Sequence, residues 1–372
     1  MHLESLSLLN FKNLEEVDLQ FSPDLNCFIG NNGAGKTNLM DAIYYLSFCK
    51  SFLNPVDGLN VRHEEEFFVI QGKYQRLGQD ESIYCGLKRG QKKHFKRNKK
   101  EYQKLAEHIG LLPLIIITPS DIDLIMGGSE ERRRFLDGLI SQYDQIYLDH
   151  LLRYNRALLQ RNKLLKQFAS ERSYNEDSLE VWDEQLVHYG NLIHQKRVEY
   201  IERLQPVFQQ YYELISCGNE RIGMEHQSQL YETDFALLLR ENRHKDRLVQ
   251  FTTVGIHKDD ILFNLGDYPI KKLGSQGQKK TYLVALKLAQ FDFIKAMSRM
   301  TPILLLDDIF DKLDKNRVEQ IVKLVADDHF GQIFITDTNR EHLDQIIRQV
   351  AADSKIFRVS RGTVREENHE EK

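Results

Sequence analysis

The segment Gly30-Asn-Asn-Gly-Ala-Gly-Lys-Thr37 sets the fold class of this chain. It fits the pattern GxxxxGK[ST], which binds nucleotide phosphates. Before it, Leu25-Asn-Cys-Phe-Ile29 predicts a buried strand, and after it Leu39, Ile43 and Leu46 recur at the spacing of a helix. Because strand, glycine-rich loop and helix follow in this order, we interpret Gly30–Thr37 as a phosphate loop rather than an ordinary glycine turn.

The residue types of the phosphate loop indicate its chemistry. Glycines let the backbone turn, so that successive N–H groups point into one concavity at a helix N-terminus, where phosphate oxygens bind. We expect Lys36 to bridge the β- and γ-phosphates of the nucleotide and Thr37 to ligate Mg2+. Kinases, GTPases, helicases and ABC ATPases share this motif, so it does not choose among them. The predicted nucleotide-binding residues of the loop are Gly30, Asn31, Asn32, Gly33, Ala34, Gly35, Lys36 and Thr37.

A second strand pattern, Ile303-Leu-Leu-Leu-Asp-Asp308, ends in two acids. A strand of a parallel sheet delivers its C-terminal end to the ligand crevice. We therefore predict that Asp307 reaches the Mg2+ ion, directly or through water, and that Asp308 orients and deprotonates the attacking water. Acidic turn residues after a strand are common, but their combination with a phosphate loop favours the functional interpretation.

The segment Leu273-Gly-Ser-Gln-Gly-Gln-Lys-Lys-Thr281 distinguishes among the P-loop classes. Its Ser275, Gly277 and Gln278 match the ABC signature SxGQ, and an apolar-periodic helix follows. A serine hydroxyl, a glycine N–H and a helix N-terminus form a second anion site, which in ABC-type ATPases serves the nucleotide of the partner subunit. A serine N-cap is the simpler explanation of the motif by itself. Its position ahead of the two acids favours the signature, and Asp311-Lys-Leu-Asp314 resembles the D-loop of the same dimer interface.

Composition limits the class of protein. The 372 residues suffice for two lobes, and 41% hydrophobic with 28% charged residues is the balance of a globular chain rather than a disordered one. The formal charge of −4 means that any nucleic-acid binding needs a local basic patch. The four cysteines are scattered without CxxC or His/Cys ligand spacing, and neither a signal peptide nor a membrane-length apolar run is evident. These features predict a reduced, cytosolic protein without structural zinc.

Strand and helix signals divide the chain into three parts. Residues 1–127 and 247–372 predict two portions of one α/β ATPase lobe, the first with the phosphate loop and the second with the signature and the acids. Residues 128–246 predict a helical lobe of two or three helices, interrupted at 169–177 and too short and irregular for a coiled coil. Further predictions are an edge strand at Leu3–Phe11, strands within 67–87, a hairpin at Phe95–Tyr102, strands at Leu111–Thr118, Leu248–Val254, Ile261–Leu265 and Gln332–Thr336, and a frayed tail at 365–372.

Several motifs in addition to the phosphate loop resemble those of the RecF family, bacterial gap-repair ATPases. They are Asn10-Phe-Lys-Asn13, Thr118-Pro-Ser-Asp-Ile-Asp-Leu124, Gly128-Ser-Glu-Glu-Arg-Arg-Arg-Phe-Leu-Asp137 and Thr253-Val-Gly-Ile-His-Lys-Asp-Asp260. With the signature and the acidic strand they form a series in family order over most of the chain. A chain of this length without a long coiled-coil arm is similar to RecF rather than to its SMC relatives.

The resemblance implies an α/β fold, namely an ABC/SMC-type P-loop ATPase head with a mainly helical second lobe inserted in it. It also implies an ATP-dependent homodimer that acts in recombinational repair and replication-fork maintenance. Such a dimer would bind DNA at gaps between single-stranded and double-stranded segments, bind RecR and help to load RecA. Slow ATP hydrolysis would reset it.

The chain departs from the family pattern at some positions. Lys12 stands where the family usually has arginine, so a guanidinium fork to the nucleotide phosphates becomes a point charge; we still assign Lys12 to the nucleotide. Gly255-Ile-His-Lys258 replaces the usual Gly-Pro-His-Arg. The switch histidine of transporters has no counterpart near Asp337 and Thr338, and Asp121 is the nearest candidate for a metal-sensing residue.

DNA contact is assigned to basic segments. The densest is Lys88-Arg-Gly-Gln-Lys-Lys-His-Phe-Lys-Arg-Asn-Lys-Lys100, although a charge run can also be only a solvated face. The alternative region is the helical lobe, around Arg132–Arg134 and Arg153–Lys166. Arg132–Arg134 could equally pair with Glu130 and Glu131.

Two other functions compete with an ATP-gated DNA clamp. A small-molecule or nucleotide kinase would use the same phosphate loop, but it would leave Ser275–Gln278 without a role. A transporter ATPase subunit is disfavoured because the switch histidine is missing. ATP-dependent dimerisation would separate the clamp from the kinase, which turns over as a monomer.

Overall fold

The computed structural model describes residues 1–171, 175–218, 220–310, 313–325, 328–338, 347 and 353–367. They form two compact units. The first comprises the described residues of Met1–Asp121, Leu214–Ser216 and Gln276–Lys372, and the second those of Ile122–Glu213 and Cys217–Ser275. The units differ from the boundaries expected at residues 128 and 246, chiefly because residues 247–275 lie in the second unit.

Strands and helices alternate along most of the chain. The strands are β1 (His2–Phe11), β2 (Leu14–Gln20), β3 (Leu25–Ile29), β4 (Phe67–Arg76), β5 (Gln79–Lys88), β6 (His94–Arg97), β7 (Lys100–Glu101), β8 (Leu114–Ile117), β9 (Ile222–Gln227), β10 (Asp260–Leu265), β11 (Tyr268–Pro269), β12 (Ile303–Asp307), β13 (Ile333–Asp337), β14 (Ser354–Ser360) and β15 (Thr363–Glu367). The helices are α1 (Lys36–Phe48), α2 (Ile122–Met126), α3 (Ser129–Ile140), α4 (Gln145–Glu171), α5 (Glu176–Ser216), α6 (Phe235–Val249), α7 (Ile270–Leu273), α8 (Gln276–Ser298) and α9 (Lys315–Val325).

One sheet of the first unit is antiparallel, with strand order β2-β1-β4-β5-β6-β7. The hairpin predicted at Phe95–Tyr102 is confirmed by the pairing of β6 with β7. The prediction that Leu3–Phe11 is an edge strand is wrong, because the chain turns back after Phe11 and β2 covers that edge. Leu3, Leu6 and Phe11 are thus fully buried.

The other sheet of the first unit has the order β15-β14-β3-β13-β12-β8, and it is parallel from β14 to β8. Every residue of β3, β12 and β13 is buried, as expected of parallel strands covered on both faces. The tail predicted to be frayed pairs instead, since Thr363–Glu367 adds antiparallel to β14. Residues 368–372 lie outside the described part of the chain.

Helix α1 packs between the two sheets of the first unit and contacts strands of both. Its predicted core positions Leu39, Ile43 and Leu46 are all fully buried, which confirms the helical period deduced from them. A cluster of aromatic rings, among them Phe28, Phe334 and Phe357, fills the core beside the phosphate-loop strand. The loop therefore rests on a densely packed base.

The second unit combines helices α3 to α6 with a small antiparallel sheet of order β11-β10-β9. Pairing of β10 with β9 draws Ile261–Leu265 into this unit. The strand predicted at Leu248–Val254 is wrong: α6 continues to Val249, and Gln250 ends it in the left-handed conformation at φ 61°. The three helices α3, α4 and α5 confirm the helical prediction for 130–214; of the expected interruption, residues 172–174 are outside the described part. No described helix combines the length and apolar character needed to cross a membrane.

Candidate nucleotide-binding site

The phosphate loop connects β3 to α1, as the motif predicts. Gly33 and Gly35 have φ of 78° and 120°, in the left-handed region that favours glycine. A Cβ on Gly35 would also come within 2.9 Å of the Asn13 side chain. Because Gly35 is the N-cap of α1 and has no side chain to cap it, the first N–H groups of α1 remain for an anion.

Lys36 lies in the phosphate loop with only 7% of its surface exposed. Its Nζ donates to the carbonyl oxygens of Gly30 at 2.6 Å and Asn31 at 3.2 Å, so the ammonium is held over the loop. Burial lowers the pKa of Lys36, while the carboxylates of Asp308 and Asp307 act in the opposite direction. A buried cation beside two acids suits a position between the phosphates and their metal ion.

Thr37 and Asp307 meet although they are far apart in sequence. The Thr37 hydroxyl donates to Asp307 Oδ1 at 3.1 Å, and the Thr336 hydroxyl donates to the same oxygen at 2.7 Å. Asp307 is 4% exposed, and burial raises the pKa of its carboxyl group. A hydroxyl and a carboxylate are the hard oxygen donors that Mg2+ prefers, so Thr37 and Asp307 fit the ion that the motifs imply.

Asp308 follows directly in a constrained backbone conformation. Its φ is +48°, which is uncommon for a residue with a side chain. Its N–H donates to Thr336, at 3.0 Å to the hydroxyl and 3.3 Å to the carbonyl oxygen. Thr336 thus holds both acids. The constrained backbone of Asp308, next to the acid predicted to bind Mg2+, suits its predicted role as general base.

Asn13 and Gly362 support the phosphate loop, and the sequence did not assign them to the site. The Asn13 amide donates to the Ala34 carbonyl at 3.2 Å and accepts from the Asn38 amide at 2.7 Å. The Gly362 N–H donates to the same Ala34 carbonyl at 3.1 Å. Asn13 is the last residue of the motif Asn10–Asn13, and this motif could have indicated its place in the site. No sequence pattern pointed to Gly362 or Thr336.

The described side-chain contacts of Lys12 are with residues other than those of the phosphate loop. Its ammonium forms an ion pair with Asp41, which is fully buried on α1, and donates to Ser51 Oγ at 3.4 Å. Burial lowers the pKa of Lys12, and Asp41 opposes this shift. The observed role of Lys12 is therefore to neutralise Asp41, and its contact with nucleotide stays a prediction.

The signature residues lie at the start of α8. Ser275 directly precedes the helix, and Gly277 and Gln278 fall in its first turn. A Cβ on Gly277 would lie 2.3 Å from the Arg317 guanidinium, so Arg317 packs against the signature glycine. Asp314 accepts from the Arg317 N–H at 3.0 Å at the start of α9. Of the segment that resembles a D-loop, residues 311 and 312 lie outside the described part of the chain.

Asp121, the candidate for metal sensing, and His257, in the segment Gly255–Lys258, both have partners within the fold. Asp121 forms an ion pair with Lys287 at 2.7 Å. His257 shares a 2.8 Å hydrogen bond with the Tyr154 hydroxyl and another of 3.0 Å with the Thr252 carbonyl. Burial lowers the pKa of His257 to about 4, which is typical of a neutral core histidine.

Sequence comparisons identify relatives along the whole chain. A family model described as the RecF/RecN/SMC N terminal domain matches residues 2–363. The DNA replication and repair protein RecF of Bacteroides fragilis is 56% identical over 373 residues and covers 100% of both chains. The protein of the same name from Flavobacterium johnsoniae is 48% identical over 357 residues, which cover 96% of this chain and 99% of that protein.

Solved structures agree with these relatives. The recombination mediator protein RecF with ATP, in the RecFOR pathway, superposes with a TM-score of 0.89 at 30% identity, covering 99% of this chain and 98% of that one. An Smc head bound to the C-winged helix domain of ScpA has a TM-score of 0.59 at 16% identity and shares the fold. The chain therefore belongs to the RecF family and has the ABC/SMC-type ATPase head fold.

Proposed function

We propose that this chain is a weak ATPase that uses ATP to control DNA binding during recombinational repair and replication. The main support for this proposal is that Lys36, Thr37 and Asp307 lie together at the C-terminal ends of buried parallel strands, beside a loop of N–H donors. The names of its relatives and the ATP complex of a RecF protein support this assignment.

The proposed reaction is hydrolysis of ATP to ADP and phosphate. N–H groups of the phosphate loop and Lys36 bind the phosphates, and Thr37 and Asp307 would hold a Mg2+ ion that neutralises phosphate charge. Asp308 accepts a proton from water as the water oxygen bonds to the γ-phosphorus and the bond to the bridging oxygen breaks. The left-handed backbone of Asp308, fixed by Thr336, positions the base before substrate arrives.

The second part of the proposal is a head-to-tail dimer. Ser275, Gly277 and Gln278 at the start of α8 would bind the γ-phosphate held by the phosphate loop of a second copy. ATP then favours the dimer by mass action, and hydrolysis releases it. A kinase of small molecules has no use for this second anion site, so it is not favoured.

Particle size measured with and without ATP, Mg2+ and gapped DNA tests the dimer. Wild type should dimerise with ATP, and Ser275→Arg should bind ATP as a monomer because its bulk enters only the site of the partner. A Ser275→Arg protein that still dimerises would refute the head-to-tail arrangement. Mixing Ser275→Arg with Lys36→Ala should restore some hydrolysis, since one of the two composite sites then carries neither change.

For DNA, we propose the exposed part of the hairpin 88–100 as the contact surface. Lys93 forms an ion pair with Asp57 at 2.8 Å and donates to the Cys49 carbonyl, and Arg97 pairs with the buried Glu81. These two cations stabilise the fold and are poor choices for mutation. Lys92, Lys99 and Lys100 are exposed and carry the proposed phosphate contacts.

Charge reversal separates the two candidate DNA surfaces. Changing Lys92, Lys99 and Lys100 to glutamate should weaken DNA binding, spare ATP binding and flatten the dependence of log K on log salt by about 0.9 per lost contact. The same change at the exposed Lys163 and Lys166 on α4 tests the helical alternative. An unchanged salt slope in the hairpin variant, with a flattened slope in the α4 variant, would move the DNA surface to the second unit.

RecR and RecA are the proposed protein partners, and gapped DNA is the proposed substrate. Loading can be measured as RecA filament formation on gapped DNA coated with single-strand-binding protein, with and without this chain, RecR and ATP. Acceleration that requires ATP and RecR together is expected. If RecA loads at the same rate without this chain, the mediator role is wrong even where ATP binding and dimerisation hold.

A further inference from the structure

Three potential metal ligands from distant parts of the sequence meet inside the second unit. His194 lies on α5, His226 lies on β9, and Asp259 immediately precedes β10. One ligand atom of each lies within 4.8 Å of the others. The three residues are too far apart in the sequence to form a recognisable metal-ligand motif. The spacing of cysteines and histidines therefore predicted no structural zinc.

Two polar atoms of the cluster are buried without a hydrogen-bond partner among the described residues. One is Oδ1 of Asp259, whose residue is 2% exposed, and the other is Nδ1 of His194. The second carboxylate oxygen, Oδ2, accepts from Arg197 Nη1 at 2.8 Å and lies 3.2 Å from His226 Nε2. Buried polar atoms nearly always have a partner, so a missing one at each of two ligands indicates a bound species.

The charges around the cluster permit a cation. Arg197 contacts both Asp137 and Asp259, and Arg133 donates to the Asp259 carbonyl oxygen at 2.5 Å. The two arginines and two aspartates sum to zero, so these four groups leave no excess positive charge at the cluster.

We propose that His194, His226 and Asp259 bind a divalent transition-metal ion, with Zn2+ as the best match to two imidazoles and one carboxylate. Zinc bonds of about 2.0–2.2 Å require ligand atoms about 3.3 Å apart, a modest contraction that side-chain rotations can supply. The ion replaces the proton between His226 Nε2 and Asp259. Water from the half-buried side of His194 completes the tetrahedron.

Surrounding groups already orient the ligands. The His226 Nδ1 lies 3.0 Å from the Tyr231 hydroxyl, which fixes the ring and leaves Nε2 for the metal. Arg197 holds Oδ2 of Asp259, which leaves Oδ1 for the metal. The ion would join the long helix α5 to the small sheet, and so it would stabilise the second unit independently of ATP.

Zinc titration of the full chain tests the site. Protein stripped with a chelator, carrying Cys217→Ser to remove its exposed thiol, is titrated with Zn2+ against a chromophoric chelator in excess Mg2+, which occupies the hard oxygen donors of the phosphate site. We expect one tightly bound Zn2+ per chain. His194→Gln should weaken binding by at least about tenfold, the smallest effect expected even for an outer-shell change. His188→Gln, at an exposed histidine of the same helix, should bind as tightly as the parent.

Thermal unfolding gives a second readout and checks the fold of the variants. Zn2+ should raise the Tm of the parent and of His188→Gln, because a ligand that binds only the native state stabilises it. His194→Gln loses the ring contacts of His194 with His226 and Tyr231, so its own metal-free Tm is the baseline, and Zn2+ should cause no rise above it. Equal zinc affinity in parent and His194→Gln, or no zinc-dependent rise in the parent, would overturn the proposal.

Discussion

Thr336→Val perturbs the point where the two acids of the site are held together. The Thr336 side chain is fully buried, and its hydroxyl both donates to Asp307 Oδ1 and accepts from the Asp308 N–H. Valine has nearly the same shape, but its side chain can neither donate nor accept a hydrogen bond. The change therefore removes two hydrogen bonds without opening a cavity.

The expected loss of stability follows from the hydrogen bonds that Asp307 and Asp308 keep in the variant. A hydrogen bond to a charged group contributes about 1.5–3 kcal/mol, and Asp307 keeps one such bond, from Thr37 at 3.1 Å. The Asp308 N–H keeps only a long bond of 3.3 Å to the Thr336 carbonyl. We expect a loss of about 2–3 kcal/mol in the free energy of unfolding, and slower ATP hydrolysis because the base is less well positioned.

Urea unfolding and steady-state ATPase assays measure these effects. Thr363→Val in the same sheet is the matched control, because its hydroxyl is exposed and donates only to the Ser360 carbonyl. It should change stability by less than about 0.5 kcal/mol. If Thr336→Val were as stable as Thr363→Val and hydrolysed ATP at the wild-type rate, the assigned role of Thr336 would be wrong.

The same variant should change the pH dependence of stability. Burial places the folded-state pKa of Asp307 above its unfolded value of 3.8. The protonated form is therefore favoured by folding, and this contribution is complete below pH 3.8 and is lost as pH rises through the folded pKa. Loss of the Thr336 donor should raise the folded pKa further, so stability should fall over a wider pH range than in wild type.

Three further changes test the rest of the site. Lys36→Ala should reduce ATP affinity by at least about tenfold, measured by calorimetry, because the phosphates lose their buried cation; affinity within a few-fold of wild type would contradict the phosphate-loop assignment. Asp308→Asn should bind ATP and accumulate dimer without hydrolysis, and normal turnover would place the base elsewhere. Gly362→Ala should destabilise the loop by more than about 1 kcal/mol, because at φ 81° its Cβ would lie 2.2 Å from the Asn13 carbonyl oxygen. Gly78→Ala has a similar φ of 74° in open space and measures the strain without the clash.

Contiguous patterns made the fold largely predictable. The buried strand Leu25–Ile29 and the apolar positions of α1 follow from local periodicity, and the structure confirms them. Errors arose where a tertiary partner decides the outcome. Leu3–Phe11 is interior because β2 folds back beside it, and Thr363–Glu367 is ordered because β14 offers an edge. Pairing of β9 with β10, not composition, sets the extent of the second unit.

The site residues also fall into two groups: those that a local motif predicts correctly, and those whose role depends on a tertiary contact. Lys36, Thr37 and Asp307 stand in recognisable motifs, and the structure brings them together. Lys12 also stands in a motif, yet its ammonium is used by Asp41 on α1, an acid whose burial no local pattern reveals. The same holds for Lys93 and Arg97, whose partners Asp57 and Glu81 make a run of charges partly structural.

Sheet register explains why Thr336 could not be found from the sequence although the acids depend on it. In the order β3-β13-β12, strand β13 separates the phosphate-loop strand from the acidic strand. Pairing aligns Asp307 with Thr336 and Asp337 with Ile29, the residue before the loop. A slip of one residue in either ladder would turn the side chains of β13 to the opposite face and remove the Thr336 hydroxyl from Asp307. The geometry of the site is thus fixed by the buried strands beneath it, and core substitutions that loosen β13 should impair hydrolysis before they impair ATP binding.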